Sequence, residues 1–477
     1  MLWFALILPD LPLQVFTRGV DDAGLVAVVE PQPRATIVAA TAAARVRGVE
    51  LCQGVAGALA VVPELALCER DPTLEAATLA ELATWAGQFT SCVSLDPPDA
   101  VLLEASASLR LFSGIDALAQ RIAAAALPLG LTTTLAAAPT PLAARWFARA
   151  RPGTLVRPSP DWARALDALP IELLADGAPV PPATLELLHG VGVRRIGELA
   201  RLPRDGLARR HASVVTDTVA RARGREPDPR PRFVPAERFA SRLVLPASVA
   251  HTEPLRFAAG RLFSNLAAWL AARQAGLDCC RLHLEHERAP ATVVEIITGR
   301  PQRDAARFVQ LACEQLAALT LPAPVEALRL TADAPVALPP STPDLFGGEN
   351  EAAREAAVRL LDRLRARLGR DAVHTVLPVA DHRPERAWRP AAPGARPAPH
   401  SAILGPRPLW LVQPPRALGV TRALTLLSDP ERIESGWWDG DDMRRDYYVA
   451  HTAEGALWWV FERLDPPGGW YVHGFFG

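Results

Sequence analysis

DCCRLHLEHERAPATVVEIIT, residues 278–298, alternates apolar and polar side chains on both sides of a short break at Arg288–Ala291. Period-two alternation interrupted by a Pro-containing turn predicts two antiparallel strands, each with one buried face. Outward from this hairpin the pattern repeats on either side. Upstream stand a helical segment, RFAAGRLFSNLAAWLAARQ (256–274), and a strand, SRLVLPAS (241–248). Downstream stand a helix, DAARFVQLACEQLAAL (304–319), and a strand, ALRLTAD (327–333). The order is β-α-β-β-α-β, an α+β unit over residues 238–336. Vicinal Cys279 and Cys280 are expected to pack within it as small apolar residues.

The chain has 477 residues and 49% hydrophobic content, enough for two to four domains. No apolar run reaches the roughly 18 residues that span a bilayer. The start, MLWFALILPDLP, lacks a basic leader and a cleavage site and reads as a strand, so the cytoplasm is expected. Six cysteines, none in CxxC spacing, do not form a zinc or disulfide pattern. All 51 basic residues are arginine. Without lysine there is no Walker-A phosphate loop, Schiff base or lysine general base. Net charge is −1, yet residues 194–232 hold eleven arginines against five acids, a local basic band suited to nucleic acid.

Before residue 150, strand-like and helix-like segments alternate: LWFALILP, ATIVAATAAARVRG, PDAVLLEA and GIDALAQRIAAAALPLG. Residues 181–225 read as helices with short turns. Within them, LLHGVGVRRIGELARLPRDGLARRH (187–211) places Gly190 and Gly192 in an inter-helix turn, with Arg194 and Arg195 beside it. Such a turn presents backbone N–H groups to a DNA phosphate. A lone GxG also fits a plain helix C-cap, but the IGELARLP and basic stretch that follow favour contact with the DNA backbone. A polar break, PPSTPDLFGGENEA (339–352), leads into a charged helix. Residues 384–408 hold seven prolines and read as a linker. The last 76 residues hold all three tyrosines and six of twelve tryptophans, predicting a small antiparallel β module.

Taken in order, these motifs resemble the Y-family (translesion) DNA polymerases from residue 1 to about 336. AATAAARVRGV (39–49) is similar to that family's fingers segment, AAAPTPLAAR (136–145) to its later palm segment, and RARPG (149–153) to the segment after it. The β-α-β-β-α-β unit is similar to its little finger. The resemblance implies nucleotidyl transfer by about three carboxylates on two Mg²⁺ ions. Those positions are degenerate here. SLDPPDAVLLE (94–104) aligns on the family's Asp-Glu pair in two registers. One puts Asp99 and Ala100 there, the other Asp96 and Pro97, and neither keeps the glutamate. The first strand offers at most Asp10, the fingers tyrosine is Ala42 with only Arg45 nearby, and the Asn-Lys pair is Thr140-Pro141. No metal or other cofactor is therefore expected.

A polymerase-like chain without polymerase residues, ending in WWDGDD, DYYVAH and WYVHGFFG, resembles the ImuB branch of the family. That resemblance implies a non-catalytic hub of an SOS-induced mutasome. The hub binds the sliding clamp, a RecA-like ImuA-type partner and an error-prone C-family DNA polymerase, on the nucleoid after damage. TPDLF (342–346) is similar to the bacterial clamp-binding peptide, with Asp344, Leu345 and Phe346 kept. DNA binding is expected to be weak and backbone-mediated. The expected fold is α+β and multidomain, a polymerase-like right hand plus an aromatic-rich β module. The palm takes residues 1–24 and 86–160, the fingers 25–85, the helical thumb 161–232 and the little finger 238–336. A clamp-binding linker (337–349), a helix-and-strand extension (350–383), the Pro-rich linker and a partner-binding module (409–477) follow. Two rivals stand beside this reading. One is an active polymerase using Asp10, Asp96, Asp99 and Glu104; the other is a helix-hairpin-helix glycosylase, which would want a catalytic Lys or Asp after the hairpin.

Overall fold

The apolar run WFALI forms β1 (Trp3–Ile7), as expected of the N-terminus. The computed structural model describes residues 1–18, 23–31, 35–176, 180–202, 213–338, 348–396, 405–419 and 424–477. It divides into two compact units, Met1–Arg367 and Leu368–Gly477. In the first, β1 lies inside an antiparallel sheet of order β5 (Cys92–Asp96), β6 (Ala100–Glu104), β1, β7 (Thr134–Ala138). Strand alternation sends Phe4, Leu6 and Leu8 to one face and Ala5 and Ile7 to the other, and both faces are buried. The first face packs on α4 (Pro72–Ala86) and α5 (Ile115–Ala126). The second packs on α6 (Pro141–Ala150).

The segment inserted between β1 and α4 makes its own sheet, β3 (Ile37–Ala40), β2 (Val26–Val29), β4 (Ala66–Glu69), backed by α2 (Ala42–Val46) and α3 (Val55–Val61). The helix α4 starts where Asp71 accepts hydrogen bonds from the N–H groups of Thr73 (2.9 Å) and Leu74 (3.0 Å), with Pro72 in the first turn. Between α6 and residue 230 the described residues form short 3₁₀ turns and the helices α7 (Pro182–Gly190) and α8 (Ser213–Ala222).

The hairpin that opened the sequence is β9 (Ala275–His286) and β10 (Thr292–Gln302), paired Thr292 to Leu284 through Ile297 to Cys279. With β8 (Phe239–Val249) and β11 (Val325–Ala332) it forms a sheet of order β10-β9-β11-β8, with β12 (Val336–Ala337) also on β9, covered by α9 (Leu255–Ala272) and α10 (Ala305–Ala317). The β-α-β-β-α-β expectation is met. The vicinal cysteines split, because neighbours on a strand face opposite ways. Cys280 is buried and its thiol pKa is pushed up by burial, whereas Cys279 is half-buried beside Glu295. Only one of the two is core.

This sheet unit is joined to the first one through a half-buried carboxylate. Glu81 of α4 pairs with Arg18 (3.0 Å) and accepts hydrogen bonds from Ser241 Oγ (2.6 Å) and Asn265 Nδ2 (3.2 Å). The helix α11 (Gly348–Leu368) is held on it by Asp362, which pairs with Arg307 and accepts from the Gly299 N–H at 2.8 Å.

The second unit is β-rich, as expected. Its main sheet runs β15 (Trp410–Leu418), β20 (Pro467–Phe475), β19 (Leu457–Leu464), β18 (Met443–Thr452), β16 (Leu424–Leu426), with β17 (Glu431–Ser435) also on β18. The Pro-rich segment differs from its expectation as a linker. Residues 388–391 form β14 (Trp388–Ala391), paired with β13 (Thr375–Pro378). Its proline sits in a two-stranded ribbon, whose edges spare it the donor that a central strand demands.

The core of this unit wraps a buried polar chain. Tyr447 Oη lies 2.8 Å from His473 Nδ1, and Arg445 donates to Tyr447 Oη (2.9 Å) and to Glu385 (2.6 Å). Burial, aided by Arg445 and opposed by Glu385, pushes the His473 pKa down to about 4. An unfolded histidine titrates near 6.5. The unfolded unit therefore binds a proton that the folded one refuses as pH falls from about 6.5 toward 4, and stability falls with it, by up to about 3 kcal/mol. Hydrogen exchange of β18–β20 at pH 7 and pH 4.5 measures this loss, and a His473→Gln protein should show a flatter pH slope. Equal slopes in both proteins exclude His473 as the source.

Candidate functional site

The helix α6 begins at Thr140, whose hydroxyl accepts from the Ala143 N–H (3.3 Å) and donates to the Ala222 carbonyl (2.7 Å). Pro141 fills the first turn, where no N–H is needed. Alanines at 5, 100, 136 and 138 form the sheet surface beneath it. Their small side chains let α6 lie close, so that Trp146 and Phe147 are fully buried. Arg145 and Arg149, four residues apart, share one helix face and reach the turn between β5 and β6.

Arg145 is 1% exposed and donates five hydrogen bonds, matching the five N–H groups of a guanidinium. Nη1 bonds the Asp96 carbonyl (2.9 Å) and Oδ2 (3.0 Å). Nη2 bonds Asp99 Oδ1 (2.9 Å) and Asp176 Oδ1 (2.9 Å), and Nε bonds Asp176 Oδ1 (3.1 Å). Arg149 Nη2 takes the remaining oxygen of Asp99 at 2.6 Å and reaches Asp176 Oδ1 at 3.2 Å. Arg230 Nη1 takes the remaining oxygen of Asp96 at 2.6 Å, and its Nη2 holds Asp228 at 2.9 Å. Burial works against the charge of Arg145, but Asp176, Asp96 and Asp99 more than offset it and raise its pKa. For Arg149 burial is likewise outweighed, here by hydrogen bonds to Asp176 and Asp99.

Both aspartates that the two alignments offered are thus together, in one turn, and every carboxylate oxygen they own accepts from arginine. A hard divalent cation needs several of those oxygens free. The residues present do not fit a two-metal centre. Among the described residues, no group of three or more His, Cys, Asp or Glu is arranged to hold a metal ion.

The other expected positions lie elsewhere. Ile7, not an acid, ends β1 opposite Ala100, and both are buried. Asp10 follows β1, precedes α1 (Leu11–Thr17) and pairs with Arg45 at 3.3 Å, so the acid offered near the first strand and the arginine left in the fingers-like segment face each other. Ala42 is exposed at the start of α2, and Pro141 is buried. Glu104 stands at the far end of β6, four residues or about 13 Å from Ala100. It accepts from the Ser106 N–H and lines a cleft of about 480 Å³ with Trp3, Ser94, Arg230 and Arg232.

The glycine turn after α7 is a helix C-cap. Val193 N–H bonds the Leu188 carbonyl and Gly192 N–H the His189 carbonyl, with Gly192 at φ +85°. That is the Schellman pattern, in which the left-handed residue is best a glycine. The next N–H groups, those of Arg194 (2.7 Å) and Arg195 (3.1 Å), both donate to Glu198 Oε2. Arg194 folds back on the His189 carbonyl, while Arg195 is exposed. Asp344, Leu345 and Phe346 lie outside the described residues.

Sequence reasoning missed Arg145, Arg149, Asp176 and Arg230 as partners of the turn. A signal did exist in AARWFAR (143–149), where two arginines four apart lie on an otherwise apolar helix. Nothing marked Asp176.

Residues 22–149 match the impB/mucB/samB family. The chain is 26% identical over 457 residues to Protein ImuB of Caulobacter vibrioides, in strains NA1000 / CB15N and ATCC 19089 / CIP 103742 / CB 15, covering 89% of this chain and 99% of each relative. Among solved structures, a Y-family DNA polymerase chimera aligns with TM-score 0.40 and 13% identity, over 71% of this chain and 100% of that one. DinB from Sulfolobus solfataricus aligns with TM-score 0.38 and 12% identity, over the same shares. The family match spans the inserted sheet and three strands of the first sheet of this α+β chain, and the aromatic-rich β module of the second unit lies outside it. The described residues include no helix long and apolar enough to cross a membrane.

Proposed function

We propose that this chain is a polymerase-like scaffold that does not transfer nucleotides, and that it serves error-prone synthesis by gathering other proteins on DNA. One observation carries the reading: the turn where carboxylates should bind metal is filled by the guanidinium groups of Arg145, Arg149 and Arg230. The likeness to ImuB along nine-tenths of the chain supports it. Residues 1–24 and 86–160 act as palm, 25–85 as fingers, 161–232 as thumb and 238–336 as little finger. The partners are the sliding clamp through Asp344, Leu345 and Phe346, an ImuA-type RecA-like protein, and an error-prone C-family polymerase that performs the chemistry. Holding several at once raises their effective concentration at a damaged template.

DNA is held weakly, through phosphates, by the basic band around the turn of Gly190 and Gly192. Since Glu198 occupies the amides of Arg194 and Arg195, arginine side chains, Arg195 first, meet the phosphate. The protein works in the cytoplasm, on the nucleoid after damage.

Primer extension by the purified chain, with Mg²⁺ and then Mn²⁺, tests the reading beside a DNA-binding control. Protein that binds DNA and extends nothing is the expected result. Extension that disappears in an Asp99→Ala variant would show a living polymerase and end the scaffold reading.

A further inference from the structure

The second unit turns two tryptophans outward. Trp437 is 77% and Trp438 58% exposed, and their rings meet edge to face at 5.5 Å. Each such side chain carries roughly 150–250 Å² of surface that folding normally buries. These two are exposed on a braced turn. Arg383, 4% exposed, donates Nη1 to Asp439 Oδ1 (2.9 Å) and Nη2 to Asp439 Oδ2 (2.7 Å), and Nη1 also reaches the Asp441 carbonyl (3.3 Å). Asp381 holds the other side of the same guanidinium at 3.0 and 2.8 Å.

Gly436, at φ +94°, lies so close that a Cβ there would stand 2.0 Å from the Asp441 carbonyl oxygen, and Gly440 is at φ +79°. The Arg383 hydrogen bond holds the Asp439 carboxyl down at about 2, so the brace persists at acid pH. Aromatic side chains fixed before binding lose little entropy on docking, and tryptophan is enriched among the residues that dominate interfaces.

Charge selects the occupant. Asp381, Asp439 and Asp441 pair with Arg383 and Arg386, and the exposed Asp442 follows them in the chain, four acids to two arginines, leaving the rim acidic. Nucleic-acid phosphates are repelled there, and a basic protein surface is drawn in. We propose that the Gly436–Asp442 turn is a docking site for a protein partner whose apolar pocket is rimmed by arginine or lysine. The inference rests on the scaffold reading and names which residues of the tail dock.

The test measures binding of the full chain to the purified ImuA-type protein and to the purified C-family polymerase. With Trp437→Ala and Trp438→Ala combined, affinity for one of the two should fall at least about 100-fold. Trp438→Phe should retain most of it. Asp441→Lys with Asp442→Lys should weaken it about 10-fold and blunt its salt dependence. A double tryptophan variant that binds both partners as tightly as the parent overturns the proposal. So does one whose first unit loses hydrogen-exchange protection, which would mean that the tryptophans pack on their own chain. If the parent chain binds neither partner, the scaffold reading falls as well, and the two failures are told apart.

Discussion

An Arg145→Met protein should lose about 3–5 kcal/mol of stability in the first unit, the scale for stripping one partner from a buried ion cluster. The guanidinium is the hub of the cluster. It bonds all three of Asp96, Asp99 and Asp176, which come from the β5–β6 turn and from the segment after α6, whereas Arg149 bonds two of them and Arg230 one. Methionine fills a similar volume but leaves three part-buried carboxylates facing one another, with only Arg149 and Arg230 to balance them. Lysine should rescue little, because a point charge cannot reproduce five donors in a planar fork. Adding Asp99→Asn to Arg145→Met should recover part of the loss, which a double-mutant cycle reads as coupling. Because the chain has two units, hydrogen exchange resolved to β1, β5 and β6 is the suitable measurement. A loss below about 1 kcal/mol would mean that the cluster is an ordinary surface network.

The second large effect concerns the clamp. Leu345→Ala with Phe346→Ala should abolish clamp binding, raising the dissociation constant about 1,000-fold. Short peptides concentrate affinity in a few apolar anchors, each worth roughly 2 kcal/mol or more, and two such losses make about three decades. Described elements stand on either side of residues 342–346 in the chain. Val336–Ala337 pairs with Gly276 and Ala275 of β9, and α11 resumes at Gly348 and is tied down by Asp362. Thr342 and Pro343 replace the first two residues of the usual peptide, so the parent affinity should itself be modest. Unchanged capture of the double variant by immobilised clamp would remove residues 342–346 from the interface.

Local pattern made most of the architecture legible. Alternation at 278–298 announced β9 and β10, helical spacing at 256–274 and 304–319 announced α9 and α10, and aromatic pairs announced the β module. These signals are visible because each element must bury one face of its own repeat. The Pro-rich segment misled, since composition speaks of flexibility while pairing with Thr375–Pro378 depends on a partner strand nearby in space. By sequence the glycine turn favoured a phosphate site over a plain C-cap, and hydrogen bonds from Gly192 and Val193 show the C-cap geometry.

The candidate site divides along the same line. By itself the sequence determined which residues stand at the positions that its resemblance to the polymerases singles out: Ala100 or Pro97 where that resemblance implies glutamate, Ala42 where it implies tyrosine, and Thr140-Pro141 where it implies the polar pair. It could not say what became of the acids that stayed. Tertiary structure alone decided that, bringing Arg145, Arg149, Asp176 and Arg230 to Asp96 and Asp99 across separations of 46 to 134 residues. Charge pairing depends on distance and burial, and neither leaves a periodic mark on a chain.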